Sequence, residues 1–286
     1  MFKDAHVSGQ ADIRNQHVRT VLINLDRDTE RLKTVSAEFA RCGVEFERFS
    51  AIDGLAVPPA SRHHFFDPDG LPAPALTKGE IGCYASHLAV WQSIAEGRHP
   101  GPTLICEDDI RLPENFVEIV SAALSRAPEG WDVIRLSSAT WRTVWPVCKV
   151  ADGYQLVCYS KTPVRLGAYL LSPQGAHKLL RPALRNRPVD HDLARPWELD
   201  LDQYGVYPPP VYQPTDNDSS IDAAEKRHHA RRAIGFLGMP SRVFGPHRFA
   251  RYWYNARKVG IYRVVAGEIE NMCGRFWRRA ASPAAR

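Results

Sequence analysis

The sequence predicts one α/β domain followed by a basic C-terminal extension, and three observations lead there. Apolar runs suited to buried strands alternate with segments whose apolar residues recur at helical spacing. The first three such segments read strand, helix, strand, the opening of a parallel sheet. Charge is also divided along the chain. Of a net +5, the stretch from Lys226 onward carries +12, from 14 Lys and Arg against Glu268 and Glu270, which leaves −7 on what precedes it. An acidic body and a basic tail point to different partners for the two parts.

Taken in order, residues 1–17 are polar and unpatterned and read as a loose tail. Val18 to Leu25 is a buried strand. Asp26 or Asp28 then caps a helix with Leu32, Val35 and Phe39 on one face, and Gly43 ends it. Val44 to Ile52 is a second strand, closing on Asp53-Gly54. Residues 55–76, rich in Pro and His, read as a long loop of the sort that often forms a lid or binding segment. Thr77-Lys78-Gly79-Glu80 fits a capping box. The helix behind it places Ile81, Tyr84, Leu88, Trp91 and Ala95 inward, with Ser86 and His87 near its polar boundary. Pro102-Thr103 opens a central strand ending at Glu107. Pro113 starts a helix, and Trp131 to Leu136 is a strand. Residues 139–163 read as strand or hairpin, and Val164 to Leu171 as a strand. Ser172-Pro173 begins a helix with Pro at its first position. Val206 to Tyr212, with three consecutive prolines, is extended or edge-like. The domain therefore spans 18–221, and 222–286 is the extension.

Composition narrows the class. A chain of 286 residues buries a full core, and 44% hydrophobic with 24% charged residues is ordinary for a globular protein. No apolar run reaches the roughly 18–20 residues of a spanning helix. The first twenty residues hold no apolar core of signal-peptide length. The six cysteines form no C-x-x-C pair or zinc spacing, and several sit in apolar runs as buried thiols do. Cytoplasmic residence is the expectation.

The chemistry concentrates where predicted strands end. Thr103 to Cys106 runs directly into Glu107-Asp108-Asp109. Adjacent carboxylates repel one another, and a hard divalent cation, Mg²⁺ or Mn²⁺, relieves that repulsion and bridges to substrate phosphates; a solvated acidic turn is the alternative. The end of the first strand offers Asn24, Asp26 and Arg27, with Arg31 one turn later. These residues either hold a nucleotide base and ribose or serve as an ordinary helix cap. Asp53-Gly54 also follows a strand, though a plain turn accounts for it. The capping box accounts for Glu80, and a hydrogen-bonded boundary position for His87. Neither G-x-G-x-x-G nor G-x-x-x-x-G-K-[ST] occurs, which removes support from dinucleotide and P-loop readings. A metal at the triplet would stabilise the charge on a departing nucleoside diphosphate. The attacking hydroxyl then needs a base, and Asp190, beside His191, is the candidate.

The tail interleaves Arg227, Arg231, Arg232, Arg248, Arg251, Arg257, Lys258 and Arg263 with Phe249, Tyr252, Trp253, Tyr254 and Tyr262. Basic residues mixed with aromatics suit an anionic membrane surface. Nucleic acid could use the same charge but is not the expected partner.

The ordered motifs resemble glycosyltransferase family 25, the lipooligosaccharide galactosyltransferase family related to the collagen galactosyltransferases. Val21 to Arg27 with Glu30-Arg31-Leu32 resembles its opening, and Ala51-Ile52-Asp53-Gly54 its second motif. Leu76-Thr77-x-Gly79-Glu80-Ile81-Gly82-Cys83-x-x-Ser86-His87 is similar to its third, and Leu104 to Asp109 to its acidic motif. Gly167-Ala168-Tyr169-x-x-Ser172-x-x-Gly175-Ala176 and Val189-Asp190-His191 are similar to later blocks. The match covers residues 18–221; the tail lies outside it.

The resemblance implies a GT-A-type, Rossmann-like nucleotide-sugar-binding fold, a UDP-hexose donor (usually UDP-galactose) and inversion at the anomeric carbon. It implies that Asp108 and Asp109, with Glu107 beside them, hold Mn²⁺ or Mg²⁺ and the diphosphate. Asn24, Asp26, Arg27, Arg31, Asp53, Gly54, Glu80, Ser86 and His87 fall on the nucleotide-sugar side, and Asp190 is the base. The acceptor expected is a lipopolysaccharide or lipooligosaccharide core at the cytoplasmic face of an inner membrane, reached peripherally through the extension. The rivals are a sugar nucleotidyltransferase and a non-catalytic membrane-surface protein that kept the fold.

Overall fold

A computed structural model describes residues 13, 17–66, 70, 76–97, 99–137, 139–214 and 246–280. Its centre is an eight-stranded sheet with helices on both faces. The strands are β1 (Arg19–Asn24), β2 (Glu47–Ser50), β3 (Thr103–Glu107), β4 (Val133–Arg135), β5 (Val144–Ala151), β6 (Tyr154–Tyr159), β7 (Ala168–Leu171) and β8 (Gln203–Tyr207). Their order across the sheet is β2-β1-β3-β7-β4-β8-β6-β5.

The opening is parallel, with β1 between β2 and β3. Beyond the opening the sheet is mixed: β4 and β8 are parallel, but other pairings are not. β7 runs antiparallel between β3 and β4, and the β5–β6 hairpin adds two more antiparallel pairings. The reason is connectivity. A helix crossover returns the chain in the same direction, whereas β7 follows a hairpin and enters the sheet from the opposite end. The antiparallel β7 begins just after Gly167, whose carbonyl accepts from Glu107 N at 2.9 Å, so the strand start lies beside the acidic end of β3.

Side-chain alternation on the central strands builds two cores. Leu22, Leu104, Cys106, Ile134 and Leu170 face α1 (Thr29–Arg41) and α4 (Phe116–Arg126). Val21, Ile23, Ile105, Val133, Tyr169 and Leu171 face α3 (Lys78–Ala95), α5 (Pro173–Leu179) and α6 (Val189–Leu193). Each fully buried large apolar side chain contributes about 1.5–3 kcal/mol. α3 is buried nearly all round, because it lies between the sheet and α5. Ser86 and His87 are therefore core residues, 0% and 1% exposed, and not boundary residues.

Other expectations shift locally. The strand ending at Leu171 starts at Ala168, and the helix after Pro113 starts at Phe116. Asp28 occupies the N-cap of α1 but makes no side-chain cap bond. The stretch read as a loop contains a one-turn helix, α2 (Pro59–Arg62), and its residues 67–69 and 71–75 lie outside the described residues. β8 lies between β4 and β6 and ends before the three prolines, so it is not an edge strand. Val189 to Leu193, which carries Asp190, forms a short helix.

The last two helices, α7 (Pro246–Val259) and α8 (Ile261–Ala280), pack on the β5–β6–β8 end of the sheet. Lys258 Nζ donates to Asp202 Oδ1 at 2.5 Å and to Gln203 O at 2.7 Å. Asn255 and Asn271, both buried, donate to Ser160 O and Ser160 Oγ. Thr143 N donates to Asn271 Oδ1 at 2.9 Å, and buried amides matched in this way fix how a helix sits on a sheet. Residues 222–245 and almost all of the N-terminal tail lie outside the described residues.

Candidate active site

The carboxyl ends of β1, β2 and β3 open on a cavity of about 450 Å³. Ten of the thirteen residues singled out from sequence line it: Asn24, Arg27, Arg31, Asp53, Gly54, Ser86, His87, Glu107, Asp108 and Asp109. Open α/β sheets bind ligands at this edge.

Two glycines form its floor. A methyl group on Gly54 would sit 1.8 Å from Lys78 O, and one on Gly82 would sit 2.5 Å from Ile52 O. The loop after β2 is thus pressed backbone to backbone against the first turn of α3. Ser86 fastens the joint: Ile52 N donates to its Oγ at 2.8 Å, and its hydroxyl donates to Gly82 O at 2.7 Å. The capping box holds the helix start, with Thr77 N donating to Glu80 Oε2 at 2.8 Å and Glu80 N to Thr77 Oγ1 at 3.2 Å. Glu80 is spent on this cap and does not line the cavity. Asp26 does not line it either; Arg48 donates to it at 2.6 Å on an exposed edge.

The three acids of the triplet have different surroundings. Asp108 turns inward. Its Oδ2 accepts from Asn24 Nδ2 at 2.7 Å and its Oδ1 from Arg31 at 3.3 Å. Arg48 Nε donates to Asn24 Oδ1 at 2.9 Å and so holds that amide in place. Burial raises the Asp108 carboxyl above its ordinary range, against the lowering pull of Asn24 and Arg31. Glu107 and Asp109 are joined instead by Gln213, whose Nε2 donates to Glu107 Oε2 at 3.1 Å and to Asp109 Oδ1 at 2.9 Å. Burial raises the Glu107 carboxyl as well. Gly167 makes room for this bridge, since a methyl group there would meet the Gln213 side chain at 2.3 Å.

Behind Glu107 runs a buried polar chain. Trp91 Nε1, which can only donate, bonds Tyr169 Oη at 2.8 Å, and Tyr169 Oη lies 2.9 Å from His87 Nδ1. We assign the tyrosine proton to His87 Nδ1, which leaves the imidazole hydrogen on Nε2. That nitrogen is buried without a hydrogen-bond partner and faces Glu107 Oε1 at 3.7 Å. The ligand atoms of Cys83, His87 and Glu107 lie within 4.8 Å of one another. Burial drives the Cys83 thiol well above its ordinary pKa, and a soft sulfur is not the ligand a hard cation prefers. In this tautomer the His87 N–H is a donor that faces Glu107 and not a metal ligand, and it is the carboxylates of Glu107 and Asp109, joined by Gln213, that fit a hard divalent cation.

Asp190 stands outside the cavity lining, on α6. Its Oδ2 accepts from Arg165 N at 3.1 Å. Its charge is felt at Glu107, Cys83 and the buried Arg135. Arg135 donates to the carbonyl of Arg165. Sequence reasoning passed over Gln213, Arg135 and Arg165, which lie in segments without a motif or clear period.

Comparison with known proteins follows the same lines. Residues 17–193 match the family described as "Glycosyltransferase family 25 (LPS biosynthesis protein)". A "Glycosyltransferase 25 family member" of Aedes aegypti is 31% identical over 59% of this chain and 29% of its own length. "Procollagen galactosyltransferase 2" of Homo sapiens is 28% identical over 60% of this chain and 29% of its own. "Inactive glycosyltransferase 25 family member 3" of Mus musculus is 34% identical over 46% of this chain and 23% of its own. The chain spans less than a third of the length of these relatives.

Proposed function

The chain belongs to glycosyltransferase family 25, and from that premise we propose that it transfers a hexose, galactose first among candidates, from a UDP-sugar to a lipopolysaccharide or lipooligosaccharide core. The single observation that carries the reading is the gathering of ten motif residues from four separate segments around one cavity that ends on the acidic triplet.

In this reading Asn24, Arg27, Arg31 and Asp53 bind the nucleotide. Glu107 and Asp109 hold Mn²⁺ or Mg²⁺, with His87 behind Glu107. Asp108, engaged by Asn24 and Arg31, orders the end of β1 against the end of β3. A bound divalent cation neutralises charge on the departing diphosphate. Asp190 accepts the proton of the acceptor hydroxyl as its oxygen attacks the anomeric carbon. The bond from that carbon to the UDP oxygen breaks, UDP leaves with the electron pair, and the configuration inverts. A carboxylate holding one backbone N–H keeps acceptor capacity for this proton.

Attachment to the cytoplasmic face of an inner membrane is supported by the exposed face of α7 and α8. Phe249, Trp253, Ile261, Tyr262, Val265, Ile269 and Met272 are all exposed there. No helix among the described residues is long and apolar enough to cross a membrane. Arg251 and Lys258 are drawn into pairs with Glu268 and Asp202, so the apolar stripe would carry much of the binding. Co-sedimentation with anionic vesicles, weakened by Tyr262→Ser and Val265→Ser, is the expected result.

The test of activity is UDP release from a panel of UDP-hexoses with Mn²⁺, Mg²⁺ or chelator. Metal-dependent turnover of a UDP-hexose supports the reading. Pyrophosphate release from UTP and a sugar phosphate would favour a nucleotidyltransferase, and no turnover of any donor a non-catalytic protein.

A further inference from the structure

Gln213 lies beyond residues 17–193, the stretch that matches the family, yet its side chain reaches the acidic triplet. The backbone delivers it there. Arg111, two residues past Asp109, pairs with Tyr212 in both directions: Arg111 N donates to Tyr212 O at 2.8 Å, and Tyr212 N donates to Arg111 O at 3.1 Å. Val211 N donates to Leu136 O at 2.9 Å. Gln213 thus follows directly on a segment fastened beside the ends of β3 and β4.

The residue stands at a seam. On one side is the first cavity. On the other it lines a second, also of about 450 Å³, with Trp141, Arg142, Lys161, Arg165 and Tyr212. The wall it packs on is set by Arg165, whose φ of 76° lies in the left-handed region that side chains avoid. Asp190 accepts from the Arg165 N–H, and Arg135 donates to its carbonyl. Two residues later Gly167 leaves the Gln213 amide its space.

The two ends of this amide are unequally used. Its Nε2 sits between Glu107 Oε2 and Asp109 Oδ1, at 3.1 and 2.9 Å, where a cation shared by the two carboxylates would also sit. Carboxylates accept, so the nitrogen and not the oxygen faces them. Oε1 is buried and has no hydrogen-bond partner among the described residues, and buried acceptors are rarely left so. An amide nitrogen offers a cation no lone pair. An amide oxygen is a neutral ligand of the kind that hard divalent cations take alongside carboxylates. Rotation about the last side-chain bond exchanges the two ends, and Oε1 gives up no hydrogen bond in turning.

We propose that Gln213 is a ligand of the divalent cation, supplying its amide oxygen beside Glu107 and Asp109. This rests on reading the acidic triplet as the metal site. With its donor end the side chain offsets the repulsion of the two carboxylates, and with its acceptor end it adds to their hold on a cation.

The test titrates Mn²⁺ into the full chain with one equivalent of UDP and counts free Mn²⁺ by electron paramagnetic resonance, with UDP alone as the blank. Gln213→Leu removes both ends of the amide. It is expected to weaken Mn²⁺ binding about ten-fold or more, at least the loss that follows removal of a residue merely supporting a ligand. Gln213→Glu keeps a ligand oxygen but cannot donate. It is expected to bind Mn²⁺ at least as tightly as the unmodified protein, while its unfolding temperature falls in chelator and recovers with Mn²⁺. If Gln213→Leu does not fold, Gln213→Asn, one methylene shorter, withdraws the same oxygen and is expected to weaken Mn²⁺ binding in its place. Unchanged or tighter binding in Gln213→Leu would mean that the amide only obstructs the site, and weaker binding in Gln213→Glu that it serves only as a donor; either overturns the proposal. No Mn²⁺ bound by the unmodified protein sinks the metal reading with it, whereas Mn²⁺ binding indifferent to residue 213 sinks this inference alone.

Discussion

The two cavities at the carboxyl edge of the sheet have the same volume and opposite linings. The first ends on Glu107, Asp108 and Asp109, while the second is ringed by Arg142, Lys161 and Arg165. They are also built differently. The first rests on backbone pressed to backbone, Gly54 on Lys78 and Gly82 on Ile52, so its shape is rigid and tied to particular residues at particular spacing. The second is walled by long side chains from a hairpin, a loop and an extended segment. In the proposed reading the rigid cavity takes the nucleotide, which is constant, whereas side chains around the second can change without moving the sheet. Between them Gln213 bridges Glu107 and Asp109, and Asp190, the proposed base, accepts from Arg165 N.

That seam offers the largest effect. Asp190→Asn keeps an acceptor for Arg165 N but removes the base, so transfer should fall by about 10²–10⁴-fold with UDP binding intact. An undiminished kcat would separate the seam from the chemistry.

The contrast in construction is tested next. Gly54→Ala forces a methyl group onto a backbone carbonyl that cannot step aside, and overpacking of this kind costs about 1–3 kcal/mol or more in urea unfolding. Gly167→Ala pushes instead on the movable Gln213 side chain. It should cost less stability and show itself in weaker metal-dependent UDP binding, as the bridge between Glu107 and Asp109 is displaced. Equal stability losses at the two glycines would erase the distinction.

The smallest effect belongs to the rim of the first cavity. Arg27 and Asp53 pair at 3.4 Å with both side chains about half exposed or more. Asp53→Asn should therefore change stability by less than about 1 kcal/mol, and any larger shift in thermal unfolding would mean that the rim is structural.

The same difference governs what could be read from the sequence. The first cavity was legible because its makers are short, local and chemically distinctive: a capping box, glycines after a strand, three adjacent acids. Even there, burial misled. Ser86 and His87 sit where one face of an amphipathic helix would meet water, but α3 is covered on its other side by α5. Asp108 looked like its neighbours until Asn24 and Arg31 were found on both of its oxygens. The sheet's parallel opening was legible from strand, helix and strand. The reversal of β7 was not, since a strand's apolar pattern carries no direction. Gln213 lies 104 residues from Asp109 in an irregular segment, and nothing local marks it as a partner. The clamp on Arg165 depends on a backbone angle that a side-chain pattern does not encode.

The most direct test is calorimetric titration of UDP into the full chain with and without Mn²⁺, repeated for Asp109→Ala. The unmodified protein should bind UDP more tightly with the metal, by ten-fold or more, and Asp109→Ala should lose that increment while keeping the metal-free affinity. An increment unchanged in Asp109→Ala would contradict the assignment of the triplet as the metal and diphosphate site.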